Sequence, residues 1–414
     1  MKVYLVGGAV RDEIMGVKSK DRDYVVVGST HEEMIYLGYT QVGAAFPVYL
    51  HPETKEEYAL ARTEKSTGPG YHDFEVVFGP EVTIEEDLYR RDLTINAIAK
   101  DLDTGEYIDP FFGEADIQNR SLRPVSEDSF KEDPLRIYRL ARFAARYSDF
   151  SITDEAYLLC RKASAGLPHL PKERKFAEIN KCFSDTSVAN KPSKMIELLV
   201  NLGEFPELRA LVGIPQPEKY HAEGDPFTHT LMVLDAANDK GCHPETQWAC
   251  LCHDLGKVCY DTFGNLHGHE SYGVPIAEQM CDRYGVPKYW KRLALVVTEN
   301  HGRMHKVLEM TPKKVYSLMQ RISAEKDSDF AHKVMDVSVA DSQGRIPSVQ
   351  NYPQAFVMTQ CMSELKKNID EISDECSKIA KKYAGRPELI RDNVTALKVR
   401  YVAKALKEAK NLIN

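Results

Sequence analysis

Long apolar runs are missing. The longest in the 414-residue sequence, such as Tyr24–Val27 and Leu293–Val297, fall far short of the roughly 18 residues a membrane-spanning helix needs, so no membrane partner is expected. A paired CxxC framework is missing too. The nine Cys, an odd number, read as reduced thiols, and the expected compartment is the cytoplasm. The opening MKVYLVGGAVRD reads as no signal peptide, because glycine and charge interrupt its apolar stretch. An excess of basic charge is also missing. Lys and Arg number 54 against 62 Asp and Glu, a net charge of −8, which excludes a chain that holds nucleic acid by overall charge. Neither an internal repeat nor a low-complexity tract is found.

With 43% hydrophobic and 28% charged residues, the composition is that of a folded globular chain, and the length predicts two to four domains. Charge is uneven. Residues 120–190 hold 13 Lys/Arg against 10 Asp/Glu, and residues 361–414 hold 12 against 8, so a polyanion would meet local stripes. Strands are expected at Val3–Val6, Asp23–Val27, Val48–His51, Glu57–Leu60, Phe74–Phe78 and Glu106–Ile108. From about Asp133 onward the apolar pattern has a helical period, including Asp133–Tyr147, Lys172–Phe183, His229–Asp239, Glu245–Lys257, Lys288–Asn300, Asp329–Asp341, Tyr352–Ala384 and Pro387–Leu412. The expected class is therefore α+β: a mixed-sheet head followed by an all-α body.

Gly7–Gly8 stands between a strand and a helix start, where glycine lets the backbone turn tightly and approach a ligand. Asp21–Arg22–Asp23 opens the next strand. Residues i and i+2 of a strand share a face, so the two carboxylates are expected to converge, and like charges held together call for a cation. Oxygen-only ligands suit Mg²⁺, which keeps waters and borrows other ligands from substrate phosphates; a solvated strand end is the plainer alternative. Arg90–Arg91 offer paired guanidiniums, either phosphate binders or members of an ion-pair network. Glu132-Asp133-Pro134-Leu135-Arg136 begins a helix, with Pro134 at the first helical position and Asp133 near the N-cap. Arg136, Arg139, Arg142 and Arg146 then fall within a sector of about 120°. Four cations on one face need anionic partners: head carboxylates, a triphosphate or an RNA backbone.

Taken in order, GGAVRD, DRD, RRDLTINAIA, DPFFG and EDPLRIYRLARFAARY resemble the class II tRNA nucleotidyltransferases, the CCA-adding enzymes of the polymerase-β-like superfamily. The resemblance covers the whole chain and is greatest to the bacterial type in which a helical phosphohydrolase domain follows the transferase. It implies a nucleotidyltransferase head over 1–140, a helical neck over 141–222, a phosphohydrolase domain over 223–345 and a helical tail over 346–414. It further implies that Gly8 and Arg11 contact the incoming nucleotide. Asp21 and Asp23 would hold catalytic Mg²⁺, and Arg91 would engage nucleotide phosphate or sugar. Asp133, Arg136 and Arg139 would lie in the nucleotide-selecting motif. Ala44–Ala45 before Phe46–Pro47 departs from the more polar residues of relatives, which touches a loop contact rather than the catalytic set. Selection has a chemical logic. Cytosine and adenine each present an amine donor beside a ring-nitrogen acceptor, which a carboxylate (Asp133) beside a guanidinium (Arg136) would match. Uracil and guanine reverse that order and would leave buried groups unpaired, a mismatch worth on the order of 10⁴ in specificity.

Eight of the 13 His lie between His221 and His305, forming a second chemical region. His253–Asp254 sits in LCHDLGK, with His229 upstream in THT and Asp341 downstream in ADSQGR. Imidazole and carboxylate ligands from three helices can form a mononuclear divalent site in a helical bundle. The pattern resembles the HD-type phosphohydrolases, which implies metal-assisted attack of water on a phosphate ester. Ni²⁺, Mn²⁺, Co²⁺ or Mg²⁺ would serve. His267, His269, His301 and His305 either complete the shell, touch substrate or lie in solvated loops. Cys250, Cys252 and Cys259 fit no zinc knuckle and are expected to be packing residues.

The Arg142–Arg146 end, Lys172–Lys175 and the C-terminal Lys398, Arg400, Lys404, Lys407 and Lys410 are candidate tRNA tracks, with solvated helix faces as the alternative. The expected activity is template-independent addition of the 3′-terminal CCA of tRNA from CTP and ATP, with a metal-dependent phosphohydrolase on the same chain. The rivals are a poly(A) polymerase and an HD phosphohydrolase with a nucleotide-sensing head. Monomer and homodimer both remain open.

Overall fold

The computed structural model describes residues 1–19, 21–42, 48–66, 74–219 and 221–413. Ala44–Ala45 and Phe46–Pro47 lie outside them. The chain divides into two compact units, one of residues 1–182 and 189–204, the other of 183–188 and 205–414. The expected head and the neck residues up to Glu204, apart from 183–188, thus belong to one unit.

In the first unit the strands are β1 (Lys2–Val6), β2 (Asp23–Val27), β3 (Thr40–Val42), β4 (Val48–Leu50), β5 (Glu57–Leu60), β6 (Arg62–Ser66), β7 (Phe74–Phe78), β8 (Ala99–Asp101) and β9 (Tyr107–Ile108). A mixed seven-stranded sheet runs β3-β4-β5-β2-β1-β8-β9, while β6 and β7 form a separate hairpin. Alternation along β1, β2 and β5 supplies both faces of that sheet. Tyr4, Val6 and Val25 pack with Ile84 and Leu88 on one side, and Val26 and Leu60 pack with Met34 and Tyr49 on the other. The β1–β2 register pairs Val6 with Asp23, so Asp23 lies beside the turn that begins at Gly7. The helix Leu135–Arg146 buries its apolar stripe, Ile137, Leu140, Ala141 and Ala144 among it.

The second unit is helical. Five helices build its candidate site: Pro226–Asp239, Pro244–Cys252, His269–Arg283, Lys288–His305 and Ser328–Gln343. Beyond residue 140, the strand residues among the described ones are Ser151–Ile152, a two-residue pair with Ser121–Leu122 in the first unit. The expected Tyr352–Ala384 helix is two helices, Pro353–Lys367 and Ile369–Lys382. They break at Asn368, whose φ of −106° and ψ of 24° leave helical space. Among the described residues no helix is long and apolar enough to cross a membrane. All nine Cys are free thiols. Cys250, Cys252 and Cys259 are buried, and burial raises each thiol above its ordinary pKa.

Candidate functional site

The head site begins at Gly7. Its φ of +68° and ψ of −130° are open to glycine at no steric cost, and a Cβ there would stand 2.9 Å from Arg91 Nη1. Gly7, which caps the helix Gly8–Ile14, therefore carries the conformational demand, rather than Gly8. Asp23 opens β2, but Asp21 precedes the strand. The shared-face argument for the pair thus gives way to a loop that brings Asp21 near. Asp23 is open to solvent on one side. Desolvation on the other side raises its pKa; Arg91 opposes that rise and Asp21 adds to it. A carboxylate held uncomfortably beside a second one fits a divalent cation with oxygen ligands.

Arg91 is positioned by Asp87. Asp87 Oδ2 accepts from Arg91 Nη2 at 3.1 Å, and Oδ1 accepts from Arg90 Nε and Nη2 at 3.0 and 2.8 Å. Burial would raise Asp87, but these two guanidiniums hold it below the usual carboxylate range. Asp92 plays a similar part. Its Oδ2 accepts from Arg139 Nε at 2.6 Å, and its Oδ1 accepts from Asn96 Nδ2 at 3.1 Å and Leu93 N at 2.8 Å. Burial works against the charged form, yet Arg139 and these donors bring Asp92 down to about 2. Asn96 Oδ1 in turn accepts from Arg11 Nη1 at 2.5 Å. Arg11 is only 4% exposed. Its other donors go to Asp12, and its guanidinium lies 5.3 Å from the Tyr147 ring centre.

Asp133 and Arg136, expected to read the base side by side, each have protein partners. Asp133 Oδ1 caps the helix at Leu135 N (3.0 Å), and Oδ2 accepts from Arg174 Nη2 at 3.0 Å. Arg136 turns away and donates to Ser129 Oγ at 3.0 Å and to the Arg90 carbonyl at 2.7 Å. Its backbone partners and 9% exposure make it a strut of the site. Arg142 donates to Glu178 Oε2 at 2.7 Å, and Lys175 donates to Glu204 Oε1 at 3.0 Å. Arg142 and Lys175 thus have carboxylate partners within the first unit, as the solvated-face alternative would also have them. Lys404 of the C-terminal stretch likewise bonds Glu364 at 2.9 Å, and Lys398 bonds Glu325. Asp87, Asp92 and Arg174 were missed as site residues; the acids lay within or beside RRDLTINAIA, where they read as ordinary neighbours of arginine.

The second unit gathers all four expected ligands. His229 Nε2 lies 3.0 Å from Asp341 Oδ1 and 3.9 Å from Asp254 Oδ2. His253 Nε2 lies 3.1 Å from Asp254 Oδ2. His253 Nδ1 must donate to the Cys250 carbonyl at 2.7 Å, because a carbonyl only accepts, so Nε2 turns its lone pair inward. That nitrogen is fully buried and has no hydrogen-bond partner, as a ligand nitrogen would be. Glu223, overlooked in the sequence, places Oε1 3.0 Å from His229 Nδ1. Burial alone would depress His229, yet Asp341 and Glu223 raise it to about 9: the pocket favours positive charge. Two side-chain cations share the load, Lys257 Nζ at 2.7 Å from Asp254 Oδ2 and Arg345 Nη2 at 2.7 Å from Asp341 Oδ1. Mixed imidazole and carboxylate donors fit a divalent transition ion.

His305 Nε2 reaches Asp341 Oδ2 at 2.6 Å, while its Nδ1 meets Tyr352 Oη at 3.0 Å. His269 and His301 meet Asp254 Oδ1 at 3.5 and 3.4 Å. His267 is exposed and has no ligand contact among those described. Gly256 explains the glycine of HDLGK: a Cβ there would lie 1.8 Å from the His269 carbonyl, so glycine lets the turn after Asp254 cross the start of the His269–Arg283 helix.

Residues 3–123 match the model of the poly A polymerase head domain, and residues 227–343 match that of the HD domain. A multifunctional CCA protein of Paraburkholderia phymatum is 42% identical over 99% of both chains. That of Mannheimia succiniciproducens is 41% identical over 97% of both. In fold, the chain is similar to a CCA-adding enzyme in an apo form (TM-score 0.61, 19% identity, 98% of this chain and 89% of the other). It is also similar to the Thermotoga maritima CCA-adding enzyme solved with tRNA (TM-score 0.58, 19% identity, 100% and 92%). With identity of this level along essentially its whole length, the chain belongs to the family of multifunctional CCA proteins.

Proposed function

We propose that the first unit adds the 3′-terminal C, C and A of tRNA from CTP and ATP without a template, and that the second hydrolyses phosphate esters with a divalent ion. The observation that carries the head reading is the meeting of Gly7, Asp23 and Arg91. A glycine-only turn, a carboxylate raised by burial and further by a second carboxylate, and a guanidinium braced from behind by Asp87 stand at one place. That is what a nucleoside triphosphate with its metal requires.

Asp21 and Asp23 would hold Mg²⁺, which when bound activates the RNA 3′-hydroxyl and neutralises charge at the α-phosphate as pyrophosphate leaves. Gly8 follows the turn and leaves its backbone open to the triphosphate. Arg91 supplies positive charge to phosphate or sugar. Arg139, held by Asp92 along one edge and about one-third exposed, turns its remaining donors to the nucleotide. Asp133 accepts from the base amine. Arg136 and Arg11 support these groups from within through the contacts to Arg90 O and Asn96. In the second unit His229, His253, Asp254 and Asp341 would hold the divalent ion, whose chemistry is activation of water toward a phosphate ester. Lys257 and Arg345 add charge that suits a phosphate.

The test is direct. The protein is incubated with tRNA lacking CCA and each labelled nucleotide in turn, and the 3′ ends are sequenced. Incorporation of C, C, then A is expected. A homopolymeric A tail, or no incorporation, overturns the reading.

A further inference from the structure

The helix Ile369–Lys382 carries an apolar stripe that its neighbours cover only in part. Ile369, Ile372 and Cys376 recur at i, i+3 and i+7, which places them on one face. Ile372 is the one buried residue of the whole helix, and Ile369 is 61% exposed. All three line a cavity of about 590 Å³ within the second unit, which Met319, Met362 and Leu365 face from other helices. That volume falls within the roughly 300–1,000 Å³ of small-molecule sites. The thioethers of Met319 and Met362 adapt readily to the shape of an apolar occupant. None of the described lining residues belongs to the imidazole and carboxylate cluster, so the cavity is a separate place in the body.

The charge around the cavity decides what its occupant carries. One carboxylate, that of Glu325, stands among the described lining residues, and both of its oxygens are engaged. Oε1 accepts from Tyr316 Oη at 2.8 Å, and Oε2 accepts from Lys398 Nζ. Lys326 and Lys366 also line the cavity, and neither has an ion-pair partner among the described residues. Two ammonium groups are therefore left over, and they favour an anion. The planar guanidinium fork that grips phosphate through two hydrogen bonds is missing from the described lining, whereas an ammonium serves a carboxylate as a point charge. We propose that this cavity binds one small organic carboxylate with an acyl-chain body. The body lies against Ile369, Ile372 and Met362, and the head meets Lys326 and Lys366. Such a site goes beyond nucleotide addition and phosphoester hydrolysis, since it uses residues of neither.

Cys376 reports occupancy without any substitution. It is one of two partly exposed thiols, and the other, Cys242, lies outside the cavity. The full chain is treated with N-ethylmaleimide in the presence of decanoate, decanol or decyltrimethylammonium, each below its micelle-forming concentration. Modification of each thiol is followed by mass spectrometry. Saturating decanoate is expected to slow modification of Cys376 and leave Cys242 unchanged. Half-protection should need about tenfold less decanoate than decanol, the difference being the charged head. In the variant Lys326→Gln with Lys366→Gln, which alters two exposed positions, that preference should vanish while protection by decanol stays. Equal protection by all three compounds in the wild type overturns the carboxylate assignment. Failure of every compound to protect Cys376, or equal protection of Cys242 by decanoate, overturns the cavity as a binding site.

Discussion

Asp92 is the residue on which the head network turns, since it fixes Arg139, Asn96 and the start of the Thr94–Asn96 turn. Its pKa of about 2 against an ordinary 3.8 is a statement about stability. A depressed carboxyl stabilises the fold above its unfolded pKa and loses that contribution as pH falls through its folded pKa. The contribution is about 2 kcal/mol at neutral pH. Asp92→Asn should therefore lower the urea midpoint of the transition that unfolds the head at pH 7. The gap to wild type should close between about pH 4 and pH 2; a gap independent of pH would show that the Arg139 pairing is not its source. Arg174 offers a second prediction. It holds the outer oxygen of Asp133, so Arg174→Ala should free the carboxylate to rotate and raise U and G misincorporation on the order of tenfold or more. Arg174→Lys should restore part of the selectivity. Unchanged selectivity in both would place base reading elsewhere.

At the scale of elements, the crossing of the Leu255–Cys259 turn over the His269–Arg283 helix bears the greatest demand. Gly256→Ala sets a Cβ 1.8 Å from a backbone oxygen, which no side-chain rotation relieves. Overpacking of backbone should cost about 3 kcal/mol or more, abolish cobalt retention by the body and leave nucleotide incorporation by the head in place. Retention at wild-type level would show that the turn can separate without disturbing Asp254. Elements such as this explain what was legible in the sequence. Strands β1, β2 and β5 carry β-branched or aromatic alternation and could be read directly, as could the long amphipathic helices. The strands β3 (TQV), β6 (RTEKS) and β8 (AKD) are short or polar and are strands because neighbours pair with them. The His269–Arg283 helix holds Gly273 and, in its interior, Pro275, two residues that weaken a helical pattern in the sequence. The candidate ligands His229, His253, Asp254 and Asp341 were legible from residue type and motif, and the structure brings them together. Asp92 and Arg174 were not legible, because their partners Arg139 and Asp133 lie far off in sequence; Glu223 was not, because it stands outside the His-Asp motif although it meets His221 and His229 nearby.

At the scale of the molecule, two ligand sets of different chemistry lie in two compact units. The head chain of contacts, from Arg11 through Asn96 and Asp92 to Arg139, closes within residues 1–182. The body cluster closes within 221–352, from the His221–Glu223 contact to Tyr352 on His305. Each set of ionic contacts is satisfied locally, so a change in one should leave the charge balance of the other intact. His253→Ala with Asp254→Ala is therefore expected to abolish divalent-metal-dependent hydrolysis of a chromogenic phosphoester and leave CCA addition nearly unchanged. Asp254 also neutralises Lys257, and removing one partner of a buried pair typically costs about 3–5 kcal/mol, so the double variant risks unfolding the body. His253→Ala alone leaves the Asp254–Lys257 pair whole and gives up only the hydrogen bond from His253 Nδ1 to the Cys250 carbonyl. Hydrolysis is assayed across Ni²⁺, Co²⁺, Mn²⁺ and Mg²⁺, in parallel with tRNA, CTP and ATP. Loss of hydrolysis with full CCA addition in His253→Ala supports two independent sites. Equal loss of both activities in that variant would mean that the imidazole cluster acts on the head, and the separation of the two chemistries would fail.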